Sequence, residues 1–117
     1  KCEVCGKQYE HSTRGLHCSH FYSRRHRSTR WCSDNAAAHC WGCHQRLGGE
    51  PINFHDWIRK RLGEGAYERL RDKHNEIIKI PKAEEKAIAA HYKAQFEWML
   101  EQRAKGRRGW LDFESWQ

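Results

Sequence analysis

The sequence predicts a small α+β protein, with two short strands in its first half and helices in its second half. Two Cys-x-x-Cys pairs enclose short β-prone runs, and apolar residues recur at helical spacing after residue 50. The 117 residues fit a single domain. Within it we distinguish residues 1–50, which hold the cysteine pairs, from residues 51–117, a helical extension expected to pack on them as one compact domain.

The cysteine pairs, Cys2 with Cys5 and Cys40 with Cys43, have the spacing of a zinc site. Each pair offers two sulfurs from one tight turn, so the two pairs together can enclose a tetrahedral zinc ion. Such a staple suits a chain this short. A secreted disulfide framework is the alternative, but the paired spacing and the nine histidines favour metal in a reducing cytosol. We therefore expect a structural Zn²⁺ and a cytoplasmic protein.

Between the cysteine pairs, residues 14–22 and 36–39 are predicted to form two pairing strands, joined by a polar, arginine-rich loop. A short helix should follow over residues 42–47. Gly48 and Gly49 are predicted to end that helix, because glycine is common just past a helix C-terminus. Together with the zinc, these elements make up the first half of the protein.

Three apolar stripes at one-face spacing predict three helices in the second half, interrupted by Gly63, Gly65 and Pro81. We expect these stripes to face the core rather than to bind a cofactor. Their members are Phe54, Trp57, Ile58 and Leu62 in the first, Tyr67, Leu70, His74, Ile77 and Ile78 in the second, and Ile88, Tyr92, Phe96, Met99 and Leu100 in the third.

The net charge of +7 is concentrated in the half that holds the cysteines. Residues 1–62 contain eleven Lys and Arg against five acids, and residues 63–117 contain eleven against ten. A basic patch of this kind attracts polyphosphate, of which DNA and RNA are the commonest forms, although a solvated loop is the plain alternative. The patch consists of Arg24, Arg25, Arg27 and Arg30.

Other regions leave more than one possibility open. The tail after Gly106 is arginine-rich and then aromatic, so it could pack back on the domain, mediate dimerisation or touch DNA. No run of 18 apolar residues is present, and the first residues do not resemble a signal peptide, so no membrane association is expected.

Specific motifs resemble the ββα-metal core of HNH endonucleases: a predicted strand with His20, then Asp34-Asn35, then Cys40-x-x-Cys43-His44. A closer resemblance is to the NinG/Rap recombination nucleases of lambdoid phages, carried by His17-x-x-His20, Arg30-x-x-x-Asp34-Asn35, the second cysteine pair and Leu47-x-Gly49. This likeness covers most of the chain, although only the HNH part has specific motifs. It implies a metal-dependent endonuclease that cleaves DNA, on branched recombination intermediates such as D-loops and Holliday junctions. It also implies a phage or prophage origin and a bacterial host cytoplasm.

The same resemblance implies roles for individual residues. His20 corresponds to the general base, Asn35 to the residue that orients it, and His44 to the ligand of a catalytic Mg²⁺ or Mn²⁺. Most HNH enzymes have a cation-binding Asp before the base, whereas this chain has Ser19. On a strand, residues 17 and 19 share a face, so His17 is a candidate second ligand of the cation. Arg46 or the arginine-rich loop could clamp the phosphate.

Three hypotheses follow from the sequence. The first is the metal-dependent HNH endonuclease, which as a homodimer could present two sites to two strands of a junction. The second is a non-catalytic zinc module that binds nucleic acid through the basic loop and the aromatic tail. The third is a zinc-stapled interaction protein whose helices pair with a partner.

Overall fold

A computed structural model of the chain describes residues 1–9 and 14–116. In this part of the chain the protein is α+β, as predicted, with one two-stranded antiparallel sheet and five helices. Strand β1 (Leu16–His20) pairs with strand β2 (Ala36–Cys40) over their whole lengths. Both strands lie where the sequence predicted them, but β1 is shorter than expected.

The connection between the strands contains more regular structure than predicted. It forms a one-turn helix, α1 (Arg27–Arg30), and then a short 3₁₀ helix (Ser33–Asn35). The first turn of α1 has no acidic residue and no side-chain cap, so the sequence lacks the usual signals of a helix start. Tertiary contacts hold α1 instead: Thr29 is fully buried, and Ser28 Oγ donates a hydrogen bond to the His74 carbonyl at 3.3 Å.

Three helices follow β2 almost without interruption: α2 (Trp41–Gly49), α3 (Pro51–Leu62) and α4 (Glu64–His74). Helix α2 includes the two glycines that were predicted to end it. Pro51 begins α3, at a position where its missing N–H costs nothing. Gly63 separates α3 from α4 at a φ of 83°, which only glycine adopts without strain. The predicted apolar faces of both helices are buried, through Phe54, Ile58, Tyr67 and Leu70.

Two of the predicted core stripes are only partly buried. Helix α4 ends at His74, so Ile77 lies beyond it and is fully exposed. On α5 (Lys82–Ala104) Ile88 is buried, but Phe96 and Leu100 are 57% and 37% exposed, which contradicts the prediction of a continuous core face. No helix of the described chain combines the length and apolarity needed to cross a membrane.

The C-terminal tail packs back on the domain, which was one of the three possibilities left open by the sequence. Leu111 is 4% exposed. Gln95 on α5 exchanges two hydrogen bonds of 2.9 Å with the backbone of Glu114. The Ser33 N–H donates to Ser115 Oγ at 2.8 Å, which ties the tail to the 3₁₀ helix before β2.

Candidate functional site

The four predicted sulfur ligands lie together at one end of the sheet. The Sγ atoms of Cys2, Cys5, Cys40 and Cys43 are all within 4.8 Å of one another, and those of Cys5 and Cys40 are 3.9 Å apart. A tetrahedral zinc with Zn–S bonds of about 2.3 Å requires sulfurs about 3.8 Å apart. The arrangement therefore fits the donor set of a structural zinc ion, and all six cysteines are free thiols rather than disulfides.

Local backbone geometry shapes both cysteine pairs. In the first pair, the Gly6 N–H donates to the Cys2 carbonyl at 2.9 Å, and Gly6 has a φ of 77° that suits glycine. The second pair spans the end of β2 and the first turn of α2, so the strand-to-helix turn sets the direction of its sulfurs. The four cysteines can therefore close one site although 34 residues separate the two pairs.

The thiols differ in their readiness to ionise. Burial opposes ionisation of Cys2, but hydrogen bonds from backbone N–H groups, that of Cys40 foremost, outweigh it and lower its pKa to about 6. Burial and the neighbouring thiols raise the pKa of Cys43 to about 12. Negative charge on one sulfur disfavours it on the next, so a cation is required before all four become thiolates. This electrostatic environment suits a Zn²⁺ ion.

A salt bridge attaches the first cysteine pair to α3. Arg61 Nε donates to Glu3 Oε1 at 2.8 Å, and each side chain is only 19% exposed. The other carboxylate oxygen of Glu3 accepts the Ala38 N–H at 2.7 Å, and the Glu3 N–H donates to the Ala38 carbonyl at 2.8 Å. Glu3 thus connects the first cysteine pair, strand β2 and α3. Sequence reasoning missed this residue, because no local pattern relates it to Arg61.

His44 lies in the first turn of α2, on the face of the sheet that packs against the helices. Its Nδ1 is 3.1 Å from Ser19 Oγ, a hydrogen-bond distance, and its ring stacks parallel to the His17 ring with centroids 5.5 Å apart. His17, Ser19 and His44 therefore meet, as expected if residues 17 and 19 share a face of β1. These residues offer two imidazoles and a hydroxyl. Among the described residues, the only cluster with three or more Cys, His or carboxylate ligands is the four-cysteine site.

His20 ends β1 and is half-buried. Its Nε2 is 3.2 Å from the Arg30 carbonyl oxygen, which can only accept a hydrogen bond, so this contact favours the tautomer with the proton on Nε2. Burial lowers the pKa of His20; hydrogen bonds to the backbone of Arg30 and of Cys18 oppose this effect, and the positive charge of Arg24 adds to it. At neutral pH the ring is therefore uncharged and able to accept a proton.

Asn35 is fully buried and holds the loop rather than His20 itself. Its side-chain oxygen accepts the Tyr22 N–H at 2.7 Å, and its amide donates to the carbonyls of Tyr22 at 3.0 Å and Thr29 at 3.1 Å. Thr29 precedes Arg30, whose carbonyl contacts His20. Asn35 thus fixes the backbone that orients His20, and none of its hydrogen bonds among the described residues goes to the imidazole.

The predicted DNA-binding arginines are surface residues, except that Arg30 is half-buried. Arg24, Arg25 and Arg46 are exposed. Arg27 forms a salt bridge of 2.6 Å with Glu85 on α5. The guanidinium groups of Arg27 and Arg30 lie 5.8 and 5.1 Å from the Trp31 ring centroid, in the geometry of cation–π contacts.

A cavity of about 900 Å³ opens beside the sheet, between its His20 side and the C-terminal tail. Both His17 and His20 line it, whereas His44 does not. Its aromatic lining combines one residue from the strand connection, two from α5 and two from the tail: Trp31, Tyr92, Phe96, Trp110 and Phe113. Sequence reasoning did not foresee this cavity, since its walls come from distant segments.

One histidine lies directly before the second cysteine pair. His39 on β2 is fully buried, and neither of its ring nitrogens has a hydrogen-bond partner among the described residues. Its ring packs edge-on against Trp57 with centroids 4.8 Å apart. Burial lowers the pKa of His39, so it fills space as a neutral aromatic ring beside the four-cysteine site.

Comparison of the chain with protein-family models, with curated proteins and with solved structures gives no match.

Proposed function

We propose that this protein is a metal-dependent DNA endonuclease of the HNH type, with a zinc-stapled ββα-metal core. The observation that carries the proposal is the contact of His44, at the start of α2, with Ser19, the residue just before His20. It supports an arrangement in which a cation-binding residue on the helix meets the strand beside the base. The element order β1, β2, α2, with the cysteine clip at the strand–helix junction, supports the same core.

In this proposal His20 is the general base. Its neutral ring takes a proton from water, the water oxygen bonds to phosphorus, and the bond from phosphorus to the leaving oxygen breaks. Asn35 positions His20 through the loop backbone. The exposed arginines of the strand connection and Arg46 hold the phosphate backbone. A DNA substrate is favoured by the +7 net charge.

His44 and His17 would hold the catalytic cation, which would stabilise charge on the phosphate and on the leaving oxygen. Two imidazoles beside a serine hydroxyl favour Mn²⁺ over Mg²⁺, since Mg²⁺ prefers oxygen ligands. The resemblance to the NinG/Rap nucleases adds branched recombination intermediates as the substrate and a homodimer as the assembly that cuts two strands.

A second candidate function is a non-catalytic zinc module that binds nucleic acid. It is favoured by the small number of metal-binding side chains around His44. Among the described residues, the four cysteines form the only group of three or more possible metal ligands. Both functions require zinc and DNA binding, so only cleavage separates them.

The test is cleavage of a supercoiled plasmid and of a four-way junction in Mg²⁺, Mn²⁺ or EDTA. We expect cleavage in Mn²⁺, its loss in EDTA, and a loss of at least about 100-fold in His20→Ala, as removal of a general base predicts. His55→Gln is the matched control, because His55 is a histidine outside the proposed site, where it hydrogen-bonds Tyr67 on α4. If the protein has its full zinc content and binds DNA but cleaves it with none of the cations, the second candidate is established instead.

A further inference from the structure

The cavity beside His20 has walls suited to a flat ring. Three of its five aromatic residues remain exposed, at 65% for Trp110, 57% for Phe96 and 37% for Phe113. The Trp110 and Phe113 rings lie 6.3 Å apart between centroids. Exposed aromatic faces around a concave space are the means by which proteins stack unpaired nucleobases.

The tail that carries two of these rings is fixed in place. Leu111, between Trp110 and Phe113, is buried, and the two hydrogen bonds between Gln95 and Glu114 hold the following backbone against α5. The Trp116 N–H donates to the Tyr92 hydroxyl at 2.9 Å, and that hydroxyl donates to the Trp31 carbonyl. The aromatic wall is therefore built before any ligand arrives.

The lining of the cavity carries charges of both signs. Arg30 lines it, and its guanidinium lies 5.1 Å from the Trp31 ring centroid, which places a positive charge beside the aromatic wall. The lining also includes Asp34 and Asp112, whose carboxylates can accept hydrogen bonds from base amino groups. Aromatic rings, an arginine and carboxylates in one lining favour an unstacked base whose phosphodiester contacts Arg30.

We propose that this aromatic cavity binds a single unstacked DNA base next to the bond to be cut, so that the protein prefers DNA containing an unpaired nucleotide. The inference rests on the proposed DNA endonuclease function and identifies the part of the substrate that the site recognises. The other possible occupant of the cavity, a second copy of this chain, is an outcome of the test.

The test measures binding without added divalent cation, so that cleavage does not interfere. Two hairpin duplexes carry the fluorescent base 2-aminopurine, either as a one-nucleotide bulge or fully paired. We expect saturable quenching with the bulge and tighter binding of that hairpin. Trp110→Ala should weaken bulge binding about 5- to 100-fold and duplex binding less than about twofold, as expected for one lost stacking partner. Trp98→Ala is the matched control, because Trp98 is 41% exposed on α5 but does not line the cavity.

The outcomes distinguish this inference from the proposed function. Equal affinity for both hairpins, or equal weakening of both by Trp110→Ala, overturns the cavity assignment even if the protein cleaves DNA. Bulge-selective binding that depends on Trp110, in a protein that cleaves nothing in any cation, supports the cavity and removes the endonuclease. A dimer that Trp110→Ala converts to a monomer in sedimentation equilibrium would show that a second copy occupies the cavity, and would also overturn the inference.

Discussion

The salt bridge between Glu3 and Arg61 is expected to contribute strongly to stability, and Glu3→Gln tests this. Glu3 uses both carboxylate oxygens, one for Arg61 Nε and one for the Ala38 N–H. Glutamine retains one acceptor oxygen and turns an N–H₂ group toward a donor. Breaking one side of a fully buried ion pair costs about 3–5 kcal/mol. Since each side chain here keeps 19% exposure, we expect a loss of about 2–3 kcal/mol.

The assay is urea unfolding followed by far-UV circular dichroism, with free zinc held at the same saturating level, because bound metal itself shifts apparent stability. Glu64→Gln is the control: its salt bridge with Arg59 is as short, at 2.6 Å, but the two side chains are 63% and 41% exposed. That pair should contribute less than about 1 kcal/mol. If both variants lose the same small amount, the claim that burial gives the Glu3 bridge its strength is wrong.

Three further predictions concern the metal, the loop and acidity. Cys43→Ser removes one of four sulfur ligands, so we expect loss of zinc in metal analysis and a lower Tm; full zinc retention would contradict the four-sulfur site. Asn35→Ala leaves its three backbone partners unpaired, so the free energy of unfolding in urea should fall by about 2–4 kcal/mol. A loss below about 1 kcal/mol would count against the claim that Asn35 fixes the loop backbone. Burial and the nearby charge of His26 lower the pKa of His74 below its ordinary 6.5, so the unfolded state binds more protons and stability falls as pH decreases from 6.5 through the lowered value. His74→Phe should weaken this dependence of the free energy of unfolding on pH, measured at saturating zinc. An unchanged pH dependence would show that it does not arise from His74.

Features set by neighbours in the chain could be predicted from the sequence. The cysteine spacing identified the four sulfurs that meet, and the β-prone runs identified both strands. Alternation along β1 placed His17 on the face of Ser19, and the stacking of His17 on His44 agrees with it. In each case the distance between the residues concerned is fixed by one turn or one strand, so tertiary packing has little freedom to change the outcome.

Features set by distant segments could not be predicted. The Glu3–Arg61 bridge joins residues 58 positions apart, and no periodicity encodes it. Phe96 has the helical spacing of a core residue, but α5 has too few neighbours on that side to bury it, and it lines an open cavity instead. The one-turn helix α1 lacks the usual sequence signals of a helix start. It could not be predicted because contacts with α4, not local interactions, hold it. Amphipathic spacing indicates which residues share a face, and only the fold determines what covers that face.

The proposed function places a specific geometric demand on β1. Side chains at successive strand positions point to opposite faces, so His20 and Ser19, and with Ser19 the ring of His44, lie on different sides of the sheet. A phosphate that meets both rings cannot sit above either face; it must lie along the free edge of β1, which pairs only with β2 in the described chain. His17 and His20 both line the cavity, which brings the cavity close to β1. If both proposals hold, the scissile phosphate is expected at the edge of β1, with the unpaired base entering the cavity on the His20 side.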